Sequence, residues 1–552
     1  MAVPATRPEF GDYQINGVMP VAKKLGMNPR QLAGQVVENL DLGGIAASVA
    51  IAGPGFINIT VDPEWLGRSL EKALADERLG VPRVAEPDTV VVDYSHPNLA
   101  KEMHVGHLRS TIIGDALVRV LEFTGHHVIR HNHVGDWGTQ FGMLIAYMER
   151  REQEAQADLS TELADLENFY RQAKLAFDSE PAFADLARSY VVKLQAGDPH
   201  CRAVWQRFID ESLRHCEEVY QRLGVTLRRQ DVRPESAYND ALPDIIAELE
   251  ASGLLCNSEG ARCVFLNEFR GRDDSIVPVI VQKSDGGYLY ATTDLAAVRY
   301  RARELGADRI LYIVDARQSL HLKQVFAVAR AAGFVPETCS LEHHPFGTML
   351  DEGGRPFRTR EGGTVKLLDL LQEAERRALE LVRDKNPDLP AEQQAEIASV
   401  VGIGSVKYAD LAMNRTTDYV FSWDRMLSFD GNTAPYLLYS YVRVRSIFRR
   451  GQLGEEGVAG PVRIEAPAEK SLAVKLTQFA DTVQTVANDC YPNILCSYLY
   501  ELAEAFMKFY EACPVLKADT DTRGSRLRLC QLTARTIQSG LRLLGIPTIE
   551  RM

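Results

Sequence analysis

His104, Val105, Gly106 and His107 stand just ahead of a segment with helical apolar spacing. Two imidazoles and a backbone position without a Cβ therefore lie beside the free N–H groups and positive dipole end of a helix start, a site that attracts phosphate. A second candidate lies in GYLYATTDLAAVRY, where Tyr290 and Asp294 are four residues apart. An acid in a first helical turn is stabilising for dipole reasons alone, so the spacing from Tyr290 is what draws interest to Asp294. The glycine-rich stretch 347–367 carries Arg355, Arg358, Arg360 and Lys366, which suits either a solvated turn or a mobile basic loop closing over a polyphosphate. In NTAPYLLYSYVRVRSIFRR, Tyr436, Tyr439 and Arg443 share one helical face. Aromatics interleaved with arginines suit unstacked RNA bases, although such a stripe also serves as core.

The elements that must position these residues are legible around the histidines. Val90–Val92 form a β-branched run bounded by a Pro-Asn turn, and apolar residues then recur at 108, 112, 113, 116, 117, 120 and 121 up to Gly125, a left-handed cap. HHVIRH supplies the next strand, and strand, helix and strand make a parallel unit. His127, His131 and His133 are accompanied by no cysteine and no HExxH spacing, so a polar rim at strand ends is expected in place of zinc. Residues 1 to about 85 read as an α+β module with a helix over PRQLAGQVVENL, a strand in IAGPGFINITV and an FGDYQ loop carrying Phe10 and Gln14; Pro82 and Pro87 mark the linker. Residues 150–265 read as an acidic, helix-rich insertion that loops through Cys256 and Cys263, followed by a strand at IVPVIVQKS. Thr293 is placed to cap the next helix, RILYIVD reads as a buried strand, and the chain is helical beyond 400.

Composition limits the alternatives. With 552 residues, 45% apolar and 25% charged, the chain is globular material for three or more domains. It has no apolar run of membrane-spanning length and no signal-like start, so a soluble, unexported protein is expected. Nine cysteines without a CxxC pair suit reduced thiols in a cytosol. A net charge of −13 argues against nonspecific coating of nucleic acid and leaves room for a local basic face.

HVGH resembles the HIGH signature of class I aminoacyl-tRNA synthetases. SHPNLAKEMHVGHLRSTIIGD with HNHVGDWGTQFGMLI, YLYATTD, NRTTDYVFSWD, NTAPYLLYSYVR and LGIPTIERM resembles the arginyl-tRNA synthetases in particular, nearly end to end. The resemblance implies a multidomain chain: an N-terminal α+β module that touches the tRNA elbow (1–85), an α/β Rossmann-like parallel-sheet catalytic core with an insertion (86–400), and an all-α anticodon-binding domain (401–552). It implies ATP-dependent attachment of arginine to its tRNA through an adenylate, with ATP and Mg2+ as substrate, no zinc, no tightly bound cofactor and no editing domain. His104 and His107 would donate to phosphate, and Gly106 would admit the nucleotide. The second family signature, KMSKS, is degenerate here: Arg358 and Arg360 occupy the loop without a lysine, and Lys101 stands where some members carry a compensating one. The matching arginine-pocket positions are Asp93, Asn98, Tyr290, Asp294 and Gln318. For tRNA they are Phe10 and Gln14 in the first module and Tyr436, Tyr439, Arg443, Tyr510 and Met552 in the last. A cytoplasmic monomer that needs tRNA bound for efficient activation is implied. The altered loop leaves an inactive, RNA-binding or scaffolding paralogue as the alternative. A small nucleotidylyltransferase or a zinc hydrolase accounts for less of the chain, and the sequence assigns His96 no role.

Overall fold

Thr89–Asp93 and Arg309–Tyr312 lie side by side at the centre of a four-stranded parallel sheet, flanked by His127–His131 and Ser340–His343. The computed structural model describes residues 2–5, 7–155, 166–271, 273–357, 365–454, 458 and 460–552. Val90, Val91, Val92, Ile310 and Leu311 are fully buried, which is why these strands read as unbroken apolar runs. From Thr89–Asp93 the chain steps outward to His127–His131, then crosses to the opposite side for Arg309–Tyr312. The strand order therefore reverses between the two central strands, and a crevice opens beyond their carboxyl ends. Register aligns His343, Tyr312, Asp93 and His131 in one row along that edge.

The helix behind the histidines, Leu108–Thr124, ends on Gly125 at φ 102°. It is buried nearly all round, so its polar residues are bound to neighbouring elements. Ser110 Oγ donates to Ile313 O at 2.7 Å, the Arg109 guanidinium lies 3.1 Å from Asp410, and Asp115 accepts from Thr226 N–H at 2.7 Å.

The insertion supplies helices Leu166–Ser179, Pro181–Gln195, Pro199–Leu223 and Leu242–Ala251 before an antiparallel sheet of Leu255–Ser258, Ala261–Val264 and Val279–Gln282. Cys256 and Cys263, expected in a loop, face one another on a hairpin as free thiols. Glu259 and Gly260 both take positive φ there, and the reversed-twist turn they form is the one a tight hairpin prefers. Thr293 does not cap its helix. Tyr290–Arg303 starts earlier behind an extended Leu289, because the preceding turn is fixed by the Gln282–Tyr288 bridge and Thr292 Oγ1 is drawn to Val281 O.

The N-terminal module is an antiparallel sheet ordered Ala2–Pro4, Tyr13–Ile15, Phe56–Val61, Ala46–Ala52. Its small core includes Val18, Ala33, Ile57 and Ile59. The C-terminal unit stacks Ala434–Arg450, Pro467–Thr477, Phe479–Asp489, Pro492–Ala512 and Thr520–Leu543. The expected boundary at 400 falls inside the continuous helix Ala391–Leu411, whose Asp410 holds Arg109 and whose Lys407 ammonium donates to Leu223 O and Gly545 O at 2.6 Å each. Two helix C-termini thus converge on one cation, an arrangement set by tertiary contact. Among the described residues no helix is long and apolar enough to cross a membrane.

Candidate active site

The segment leaving Asp93 is strained. Ser95 and His96 hold φ of 81° and 53°, unusual for residues with a side chain. Ser95 N–H donates to Ser110 Oγ at 2.9 Å, His96 N–H donates to Asn132 Oδ1 at 3.2 Å, and the buried Tyr220 hydroxyl meets Ser95 Oγ at 2.7 Å and Asn132 Nδ2 at 3.0 Å. Contacts from three elements therefore maintain a turn that no local preference supports.

Val105–His107 form a single 3-10 turn feeding the long helix. His104 Nδ1 accepts from Gly106 N–H at 3.0 Å, and His107 Nδ1 accepts from His104 N–H at 3.1 Å. These bonds assign the proton of each neutral ring to Nε2, which faces away from the backbone. The rings lie 4.0 Å apart. Burial and the neighbouring His104 push His107 down to about 3, while burial and Lys101 lower His104. Both are neutral Nε2–H donors near pH 7. A Cβ on Gly106 would lie 2.7 Å from His104 Cε1, so the glycine leaves room for that ring.

Asn98, Lys101, His104 and His107 line one cavity of about 190 Å³, together with Glu167 and Lys366. The glycine-rich loop returns to it: Val105 N–H donates to Val365 O at 3.0 Å and Leu367 N–H to Met103 O at 2.9 Å. Its other stem is tied by Phe357 N–H to Met349 O at 3.2 Å. Arg358 and Arg360 lie outside the described residues. Asn98 pairs with Gly135, where a Cβ would lie 2.4 Å from Asn98 Oδ1.

A larger cavity of about 790 Å³ is lined by Trp137, Glu235, Tyr290, Thr293 and the turn around Lys283 and Tyr288. Tyr290, 73% exposed, opens its helix; one turn on, Asp294 Oδ2 lies 2.5 Å from His321 Nε2, a bond that raises the imidazole pKa. Burial, then Asp136 and Asp294, push Glu235 up to about 7. Gln318, exposed, ends the 3-10 turn just ahead of the helix carrying His321. Asp93 is placed differently from these. Its carboxylate lies 2.7 Å from Arg301 and 2.9 Å from His96 Nε2, and against the burial that would raise it, the Arg301 charge holds it well below the usual range. Arg301 also meets His131 Nδ1 at 2.8 Å, and burial with this guanidinium lowers His131 to about 4. His131 is thus buried flooring, His133 is half-buried beside it, and His127 is exposed. Sequence reasoning missed Glu235, Arg301 and His321. None sits in a recognisable pattern, and a lone acid at a loop-to-helix junction gives no signal of its own.

In the C-terminal unit, the Arg443 guanidinium stacks between Tyr439 and Tyr510, 5.1 and 5.2 Å from the ring centres. Tyr439 is 36% exposed, so this part of the stripe is surface. Tyr436 packs on Tyr500 at 5.6 Å, and Met552 is half-buried on the main core. Phe10 and Gln14 lie in the N-terminal module, where Gln14 Nε2 donates to Asn58 Oδ1 at 2.8 Å. Among the described residues, Glu342, His344 and Cys490 alone are grouped closely enough to hold a metal ion. Arg309 takes both Glu342 oxygens at 2.8 and 3.1 Å, and Arg415 lies 3.0 Å from His344 Nδ1. Two guanidiniums beside the cluster oppose a cation there.

A histidine pair at the switch point of a parallel sheet, followed by a helical unit, has the architecture of a class I aminoacyl-tRNA synthetase. Residues 69–423 match the family described as tRNA synthetases class I (R), catalytic domain, 437–552 match the DALR anticodon binding domain, and 2–61 match the arginyl tRNA synthetase N terminal domain. The arginine–tRNA ligase of Hahella chejuensis is 60% identical over 549 residues, spanning 100% of this chain and 95% of that protein. The structure superposes on arginyl-tRNA synthetase from Plasmodium falciparum with a TM-score of 0.86 at 30% identity, covering 100% of this chain and 95% of the other. For the Thermus thermophilus enzyme the TM-score is 0.83 at 25% identity, covering 100% and 96%. The chain belongs to the arginyl-tRNA synthetase family.

Proposed function

We propose that this chain joins L-arginine to its cognate tRNA in two steps. The arginine carboxylate attacks the α-phosphorus of ATP in line, an oxygen–phosphorus bond forms, and the bond to pyrophosphate breaks. A terminal ribose hydroxyl of the tRNA then attacks the acyl carbon and releases AMP. ATP enters as its Mg2+ complex. The observation that carries this reading is the pair of neutral Nε2–H imidazoles on the wall of one small cavity at the strand-order reversal, in a chain that also holds an acid-lined second cavity. Phosphoryl chemistry needs positioned donors and no protein nucleophile. His104 and His107 donate to phosphate oxygens, Gly106 keeps their geometry, Lys101 neutralises phosphate charge, and Arg358 and Arg360 steer the loop.

Asp294 takes the guanidinium with Tyr290 beside it, and Asn98 and Gln318 hold the amino-acid end. Asp93, in this reading, organises the floor through Arg301 and touches no substrate. Glu235 joins Asp294 in receiving the guanidinium, which gives a pH signature. Free Glu235 titrates at about 7 and the bound cation favours its ionised form, so arginine affinity rises as pH increases through 7 and binding at pH 6 releases about one proton per site. Calorimetry in buffers of different ionisation enthalpy measures that proton, and Glu235→Gln removes it. Gly135→Ala pushes Asn98 aside and raises the KM for arginine about tenfold or more, with the KM for ATP little changed.

Residues 1–85 take the tRNA elbow with Phe10 and Gln14, and the helical unit reads the anticodon with Tyr436, Tyr439, Arg443, Tyr510 and Met552. The continuity of Ala391–Leu411 supports a start for that unit later than 401, in the loop preceding Ala434–Arg450. The protein acts as a cytoplasmic monomer without zinc or a tightly bound cofactor. The occupied acceptors around Cys490 support the last point, and metal analysis of the purified protein tests it. Nothing in the fold or the relatives favours an inactive RNA-binding paralogue. Arginine-dependent exchange of pyrophosphate into ATP, with and without arginine tRNA, tests the whole reading. Exchange that requires tRNA supports it together with coupling between the helical unit and the active site; no exchange from folded, tRNA-binding protein overturns it.

A further inference from the structure

The insertion contributes to the histidine cavity. Glu167 lines that cavity, and Tyr170, one turn further along Leu166–Ser179, carries its ring 4.2 Å from the Lys101 ammonium. Lys101 itself lines the cavity beside His104 and His107, so the residue that borders the space assigned to phosphate has its ammonium over an aromatic ring. The depressed titration of His104, to which the Lys101 charge contributes, agrees with that proximity. A lysine stem is long and rotamer-rich, and an ammonium left free would sample solvent. A carboxylate partner would hold it in place but would cancel the charge that phosphate needs. An aromatic quadrupole holds a cation without neutralising it.

We propose that Tyr170 is a positioning residue that keeps the Lys101 ammonium on the wall of the phosphate cavity, so that the insertion takes part in nucleotide binding. The inference rests on Lys101 being the cation that neutralises phosphate, and the test separates the two. Steady-state pyrophosphate exchange is measured on the full-length enzyme with tRNA for Tyr170→Leu, Tyr170→Phe, Lys101→Ala and the Lys101→Ala/Tyr170→Leu double variant. Tyr170→Leu raises the KM for ATP about tenfold and leaves the KM for arginine unchanged, whereas Tyr170→Phe, which keeps the ring, stays within about twofold of the parent. In the Lys101→Ala background, Tyr170→Leu adds no further loss. An equal loss from Tyr170→Leu in both backgrounds overturns the proposal and leaves the lysine assignment intact, because a merely structural tyrosine acts independently of Lys101. Damage from Tyr170→Phe equal to that from Tyr170→Leu also overturns it, since the hydroxyl and not the ring would then matter. Exchange by Lys101→Ala equal to the parent's overturns the lysine assignment itself.

Discussion

Replacing His107 by asparagine lowers arginine-dependent pyrophosphate exchange by roughly a hundredfold or more, the effect of losing one preorganised donor worth about 3 kcal/mol. The geometry makes this substitution selective. His107 Nδ1 accepts the His104 N–H at 3.1 Å, and an asparagine Oδ1 occupies nearly the same place, so the turn keeps its internal bond. Nε2, which the Nδ1 bond leaves as the ring's donor, has no counterpart in asparagine. His107→Gln inverts the loss: its amide reaches the Nε2 position but gives up the backbone acceptor, so it retains more rate and less order in the turn. Thermal unfolding separates the two, with His107→Asn within a few degrees of the parent. An exchange rate unchanged in His107→Asn removes this histidine from phosphate chemistry. The pH profile supplies a second check. With His107 depressed to about 3 by burial and by His104, its donor stays neutral throughout the working range and adds no inflection near 6.5.

Asp294→Asn weakens arginine binding by roughly a hundredfold, about 3 kcal/mol, because a partly buried guanidinium loses a charged partner. His321 already occupies Oδ2 at 2.5 Å, and Oδ1 has no protein donor among the described residues. Calorimetry measures the loss, and the KM for ATP stays within a fewfold. The same variant replaces the carboxylate that raises the His321 pKa with a neutral acceptor. The sign follows from that shift: the His321–Asp294 pair contributes stability at pH values below the unfolded histidine pKa, and the contribution fades as pH rises through the elevated folded value. Asp294→Asn therefore lowers the melting temperature more at pH 6 than at pH 8. Normal arginine affinity in Asp294→Asn places the pocket elsewhere, with Glu235 the next acid to remove.

What the sequence determined by itself was local. The β-branched run at Val90–Val92, the apolar spacing from 108 to 121 and the cap at Gly125 depend on near neighbours, and the parallel unit they build appears within a residue or two of those bounds, as Thr89–Asp93, Leu108–Thr124 and His127–His131. His104 and His107 were legible because their chemistry rests on a helix start a few residues away. Tertiary structure decided what depends on distant partners. Asp93 is paired with Arg301, which arrives from the far end of another helix, a partner that no window of sequence around Asp93 reveals. Glu235 reaches the second cavity because its N–H donates to Val134 O and Ser236 N–H donates to Asp136 Oδ1. Thr293 had the chemistry of a cap and lost the position to an extended Leu289, held by a strand bridge that no helix propensity anticipates. Ser95 and His96 adopt left-handed backbone only because Ser110, Asn132 and Tyr220 close around them. Periodicity, capping and turn chemistry act over a few residues and can be seen in any window of sequence. Buried charge and backbone strain persist only where the completed fold surrounds them with partners, and those partners come from segments that the sequence lists far apart.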